Sequence, residues 1–135
     1  IPQAADPVGR QLCRPRTVVN FFGTTDLRAR NDRLLEALLG SNPSPVQKAE
    51  ASPITYVHKG MPPYLLIHGT QDAPVPYQLS VRMCERMRQA GASCELFPVA
   101  GAPHGIGAWE HNPAFQGYKD KMVAWLRKVF ESLRI

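Results

Sequence analysis

The sequence predicts an α/β fold, a three-layer α/β/α arrangement built on a short, mainly parallel sheet. Three short apolar runs, at 17–22, 64–69 and 94–99, each close on a glycine signal (Gly23, Gly69, Ala100-Gly101), as strands buried on both faces do. Between and after them apolar residues recur at helical spacing. Strand and helix therefore alternate along the chain, the order of parallel strands joined by right-handed crossovers.

Each element has its own local reason. The first 16 residues, with Pro2, Pro7, Gly9 and Pro15, carry no periodic pattern and are expected to form an irregular arm. Thr17-Val18-Val19-Asn20-Phe21-Phe22 is rich in β-branched and aromatic residues and predicts the first strand. Leu27, Leu34, Leu35, Leu38 and Leu39 predict a helix over 27–39, stopped by Gly40, with Asp26 as its cap. Ser44-Pro45-Val46-Gln47 predicts a second start: Ser44 caps, Pro45 suits the first helical position and Gln47 completes a capping box. That helix must be short, because Ser52-Pro53 follows. Tyr64–Gly69 is the second strand. Gln78 to Ala90 is a helix with Ser80, Met83, Cys84 and Met87 on one face and Arg82, Glu85, Arg86 and Gln89 on the other. Cys94–Val99 is the third strand. The final helix is expected to start at Asn112-Pro113 and to keep Phe115, Tyr118, Met122, Trp125, Leu126 and Val129 inward, while Trp109, outside it, is expected to be more exposed. No repeat or low-complexity stretch divides residues 1–135, which are read as a single domain.

Composition narrows the function classes. The 135 residues hold 16 Lys and Arg against 11 Asp and Glu, a net charge of +5. That excess is spread along the chain with no basic stripe, so nucleic acid is not an expected partner. No apolar run approaches the roughly 18 residues that span a bilayer, so no membrane partner is expected either. Ile1–Arg10 lacks a basic start and an apolar stretch, so no signal peptide is visible, and without an initiator Met the sequence is expected to be a processed product or a cut piece. The compartment stays open. Cys13, Cys84 and Cys94 are odd in number and form no C-x-x-C, which supports neither a disulfide framework nor a zinc knuckle. Cys84 and Cys94 read as small core residues, and a reducing compartment fits them. His58, His68, His104 and His111 form no H-x-x-x-H pair, so neither a metal nor a cofactor is expected.

In open parallel sheets ligands bind outside the carboxyl ends of the strands. Thr24, Thr25 and Asp26 follow the first strand; His68, Thr70, Gln71 and Asp72 close the second; His104 follows the third. Taken singly, Asp72 is a turn residue before Val75-Pro76 and His104 a loop residue between glycines. Their paired placement after adjacent strands points instead to a carboxylate that orients an imidazole and stabilises its protonated form. The two side chains are expected within hydrogen-bond reach of each other.

The residues that carry this pair also carry a resemblance. Pro63-Tyr64-Leu65-Leu66-Ile67-His68-Gly69-Thr70-Gln71-Asp72-Ala73-Pro74-Val75-Pro76 resembles the acid-bearing segment of α/β-hydrolase esterases, of the acetylesterase, xylan esterase and feruloyl esterase-like branch related to prolyl oligopeptidases. The stretch from Ala49 to Val57 resembles the segment those proteins place just before it. Asn20 to Leu27 resembles their preceding strand and its exit, and Gly101-Ala102-Pro103-His104-Gly105 their catalytic-histidine loop. The resemblance runs from about Thr17 to Phe130. It implies that Asp72 is the triad acid, that His104 is the general base, and that the three strands are the last three of an eight-stranded sheet.

One part of the family pattern is absent. Such esterases carry their serine in a G-x-S-x-G elbow, and this sequence contains none. Gly91-Ala92-Ser93-Cys94-Glu95 lacks the final glycine and enters a strand where an elbow should leave one. Cys94, at the start of its strand, is misplaced as a substitute nucleophile. Two functional expectations follow. The chain supplies the acid and histidine of a carboxylic-ester hydrolase acting on a small ester once an N-terminal half completes it. Alternatively, it is a non-enzymatic, self-associating α/β fragment. In either case the 17–22 strand is expected at a sheet edge whose unpaired amides and carbonyls favour a homo-oligomer, the alternative being that the irregular Ile1–Arg16 segment folds back over that edge.

Overall fold

The computed structural model describes Ala5 and residues 14–132. Most of the expected irregular arm, and Cys13 with it, lies outside the described residues. Three strands, β1 (Val18–Phe21), β2 (Tyr64–Gly69) and β3 (Cys94–Val99), form one sheet in the order β1-β2-β3. Both pairings are parallel, with Val18 opposite Tyr64 and Tyr64 opposite Cys94. Helices α1 (Arg33–Leu39) and α2 (Pro45–Glu50) and a 3-10 turn at Pro53–Tyr56 join β1 to β2. Helix α3 (Gln78–Gln89) joins β2 to β3, and α4 (Ile106–Glu110), a 3-10 turn at Pro113–Phe115 and α5 (Gly117–Ser132) follow.

The sheet separates two cores, which is what makes the architecture three-layered. The central strand β2 has alternating side chains that are apolar on both faces, and Leu65, Leu66 and Ile67 are all fully buried. Leu66 packs with Ile54, Val57, Met83, Cys84 and Met87 on the α3 side. Leu65 and Ile67 pack with Trp109, Tyr118, Trp125 and Val129 on the α5 side. Each fully buried Leu or Ile here contributes about 1.5–3 kcal/mol. The outward face of α3 carries Arg82, Glu85, Arg86 and Arg88 into solvent, as its periodicity predicts. Among the described residues no helix is long and apolar enough to cross a membrane.

Five expectations need correction. The helix predicted over 27–39 begins only at Arg33, and its cap is Asp32, which accepts from the Leu35 N–H at 3.0 Å. Leu27 is buried as a loop anchor, its N–H donating to Ser52 Oγ at 2.8 Å, so its apolar side chain belongs to a tether and not to a helical period. Asp26 does not cap that helix; it accepts from the Arg28 backbone N–H and pairs with the Arg28 guanidinium at 2.7 Å. The last helix does not start at Asn112-Pro113: Asn112 Oδ1 caps a 3-10 turn there, and regular α-helix resumes at Gly117. Trp109 is fully buried, not exposed, because Phe22 and Tyr118, remote in sequence, close over its ring. Finally, Cys84 and Cys94 are core residues, but they are joined in a disulfide, their Cα atoms 5.4 Å apart. The inward face of α3 and the first residue of β3 meet across the turn between them. That pairing removes the case for a reducing compartment.

Candidate active site at the carboxyl ends of the strands

The loops that leave β2 and β3 are bonded to each other. Thr70 N–H donates to the Val99 carbonyl at 3.1 Å and Gln71 N–H to the Ala102 carbonyl at 3.0 Å. Gly101 N–H donates to Thr70 Oγ1 at 2.9 Å. Gly69 makes this approach possible: a Cβ at that position would lie 2.3 Å from the Ala102 carbonyl oxygen. Gly101 turns the chain after β3 at a φ of +73°, which favours glycine.

This junction places Asp72 and His104 in contact. His104 Nδ1 donates to Asp72 Oδ2 at 2.7 Å. The carboxylate accepts, so this bond uses a proton on Nδ1 and leaves Nε2 outside it. The other oxygen, Oδ1, accepts from the Val75 N–H at 2.8 Å. The Asp72 side chain is completely buried, while His104 leaves 36% of its side-chain surface open. A buried acid thus orients an accessible imidazole, an arrangement able to take a proton at Nε2 and to stabilise the resulting cation.

Aromatic residues hold the histidine loop from its far side. Trp109 Nε1 donates to the Pro103 carbonyl at 2.7 Å. The Phe22 ring, on a residue with φ of 40° that directly follows β1, meets the His104 ring edge-on with centroids 4.7 Å apart. Beside His104 opens a cavity of about 360 Å³, walled by Leu27, Leu34, Leu35, Leu38 and Val75. Arg30, paired with Asp32 at 2.6 Å, lies at its rim.

Of the predicted strand-end residues, the structure brings Asp72, His104, His68 and Thr70 together. Thr25 instead donates to the Leu79 carbonyl at 2.9 Å, tying the β1 exit to α3. Asp26 faces away with Arg28, whose guanidinium hydrogen bonds hold its carboxyl below the usual carboxylate range. Among the described residues no three His, Cys, Asp or Glu side chains converge as metal ligands. Sequence reasoning missed Trp109 and Phe22 as supports of the histidine loop. The pairing of an exit aromatic with a buried indole has no spacing signature, although Trp109 five residues after His104 was a signal of proximity.

The parallel sheet, the paired acid and histidine beyond its strand ends, and helices on both faces define an α/β-hydrolase type of chain. Residues 6–87 match the family model described as BD-FAE, and the chain belongs to that family. It is similar to the solved acetyl ester-xyloside bifunctional hydrolase from Caldicellulosiruptor lactoaceticus, at 28% identity and a TM-score of 0.78, over 98% of this chain and 48% of that one. It is also similar to a truncated form of a carbohydrate esterase from gut microbiota, at 30% identity and a TM-score of 0.70, over 84% of this chain and 42% of that one. Esterase LipC of Mycobacterium tuberculosis is 37% identical over 58 residues, 42% of this chain and 14% of LipC. The chain spans less than half the length of each of these relatives.

Proposed function

We propose that this chain supplies the acid and the base of a serine carboxylic-ester hydrolase, with Asp72 as acid and His104 as base. The observation that carries this reading is the 2.7 Å hydrogen bond from His104 Nδ1 to the buried Asp72 carboxylate, next to an apolar cavity. With Nδ1–H engaged, Nε2 of His104 accepts the proton of a serine hydroxyl as that oxygen attacks the ester carbonyl. The same nitrogen then returns the proton to the departing alcohol, and Asp72 stabilises the imidazolium in between. Water repeats the cycle to release the acid. The 135 residues contain no G-x-S-x-G, so the serine comes from polypeptide outside them. The substrate is a small ester, and the leucine-walled cavity suits an uncharged group of it.

Fusing this chain behind the serine-bearing half of the Caldicellulosiruptor hydrolase tests the reading. A folded fusion is expected to hydrolyse p-nitrophenyl acetate, and His104→Ala within it to lower kcat by about 10³-fold or more. Equal rates in the two folded fusions would reject His104 as the base.

A second reading is favoured by the exposed edge. Val18, Val19 and Phe21 on β1 are only half-buried, and among the described residues β1 has a strand neighbour on one side alone. In this reading the chain is a non-enzymatic α/β unit that pairs with a copy of itself through that edge.

A further inference from the structure

A second imidazole lies behind the acid. His68, on β2, is completely buried, and each of its ring nitrogens has a partner. Nε2 lies 2.8 Å from the Val75 carbonyl oxygen, which can only accept, so the proton is on Nε2. Nδ1 is then the acceptor, 2.7 Å from the buried Ser80 hydroxyl on α3, which donates to it. The Nε2–H also faces Asp72 Oδ2 at 3.2 Å. Tyr77 meets the His68 ring edge-on, with centroids 5.8 Å apart, which limits ring rotation.

We propose that His68 is a positioning residue for the Asp72–His104 pair, held in one tautomer by Ser80. Val75 is gripped from both sides: its carbonyl accepts from His68 and its N–H donates to Asp72 Oδ1. His68 therefore fixes the turn that fixes one carboxylate oxygen, and its N–H faces the other. With Oδ1 committed to Val75, Oδ2 remains aimed at His104 Nδ1. The order Ser80, His68, Asp72, His104 is thus one connected polar network crossing from α3 to the histidine loop, and such networks hold their members jointly. His68 and Ser80 are both fully buried and neither lines the cavity beside His104, so the role assigned to them is positioning and not contact with substrate.

This inference rests on the reading of Asp72 and His104 as acid and base, but its test needs no catalysis. Long-range ¹H–¹⁵N correlation spectra of the imidazoles, recorded on the 135-residue chain, should show His68 protonated at Nε2 and His104 at Nδ1. His68→Phe fills the same space without the hydrogen bonds. It should speed exchange of the His104 Nδ1 proton with water by about tenfold or more, the effect expected from one lost net hydrogen bond. His68→Gln, which can place an N–H near the Nε2 position, should restore slow exchange. Ser80→Ala disturbs the fold least and decides the matter if His68→Phe does not fold; it should release the His68 tautomer and also speed exchange at His104. An unchanged His104 proton in folded His68→Phe, or in Ser80→Ala, would overturn the proposal. An inactive fusion with these spectra intact would instead count against the esterase reading alone.

Discussion

At the scale of single residues, the site depends on one position that cannot carry a side chain. Gly69 ends β2 where the histidine loop crosses, and the space a Cβ needs is occupied by backbone. Gly69→Ala should destabilise the fold by about 1–3 kcal/mol in urea unfolding, as overpacking does, and should break the 2.7 Å contact between His104 and Asp72. A variant of unchanged stability would mean that the loop moves freely. Tyr118 provides a pH signature. Burial, and then the Glu110 carboxylate that accepts its hydroxyl proton, push its phenol up to about 12. The folded state thus holds this proton more tightly than the unfolded state, whose value is near 10. The contribution is complete below pH 10 and is lost as pH rises towards 12. Thermal unfolding should show an alkaline loss of stability that Tyr118→Phe reduces, and an identical alkaline limb in the variant would contradict this. The contact between Asp72 and His104 was legible in the sequence because each lies a few residues beyond a strand that announces its own end. Trp109 was not, since its burial depends on Phe22 and Tyr118, 87 and 9 positions away.

At the scale of elements, two local signals were legible because they were self-contained. The Ser44 capping box forms with both of its hydrogen bonds, at 3.2 and 2.8 Å, because all its atoms lie within four residues. Helix α3 spans the predicted turns because its inward stripe, Met83, Cys84 and Met87, meets an apolar sheet face. The stretch before α1 misled because Leu27 matches a helical period by composition while hydrogen bonding to Ser52, 25 residues on, holds it in a loop. The Cys84–Cys94 link was invisible for a related reason: a separation of 10 residues has no meaning until a helix and a strand are folded against each other. Replacing both cysteines by serine should cost about 2–4 kcal/mol of stability by denaturant titration, the usual range for a short closed loop. Stability equal to that of the oxidised protein would show that the bond does not contribute. Helix α5 is secured by Trp125, which is buried against β2 and β3 with Leu65 and Val99. Trp125→Ala should cost about 3–5 kcal/mol, whereas an undocked helix would lose nothing.

At the scale of the whole molecule, β1 lies at an edge of the sheet, with no second strand partner among the described residues. The β1 edge and the outer face of α5, where Val123 and Phe130 are exposed, are apolar surfaces of the kind that proteins usually cover. Sedimentation of the 15.0 kDa chain at dilute concentration should therefore give twice that mass. A folded monomer would remove the self-pairing proposal, and Val19→Lys, placing a charge on the edge strand, should shift a dimer towards monomer. The sheet has a further property that concerns time. Every strand pairing among the described residues is parallel, Val18 with Tyr64 and Tyr64 with Cys94, so partners stand 46 and 30 positions apart. No hairpin is available to nucleate the sheet, and long loops must close before any ladder bond forms. Stopped-flow refolding should accordingly be slow for so short a chain, in the range of milliseconds to seconds set by non-local topology. During that interval the apolar strands stay uncovered, so the yield of refolding should fall as protein concentration rises.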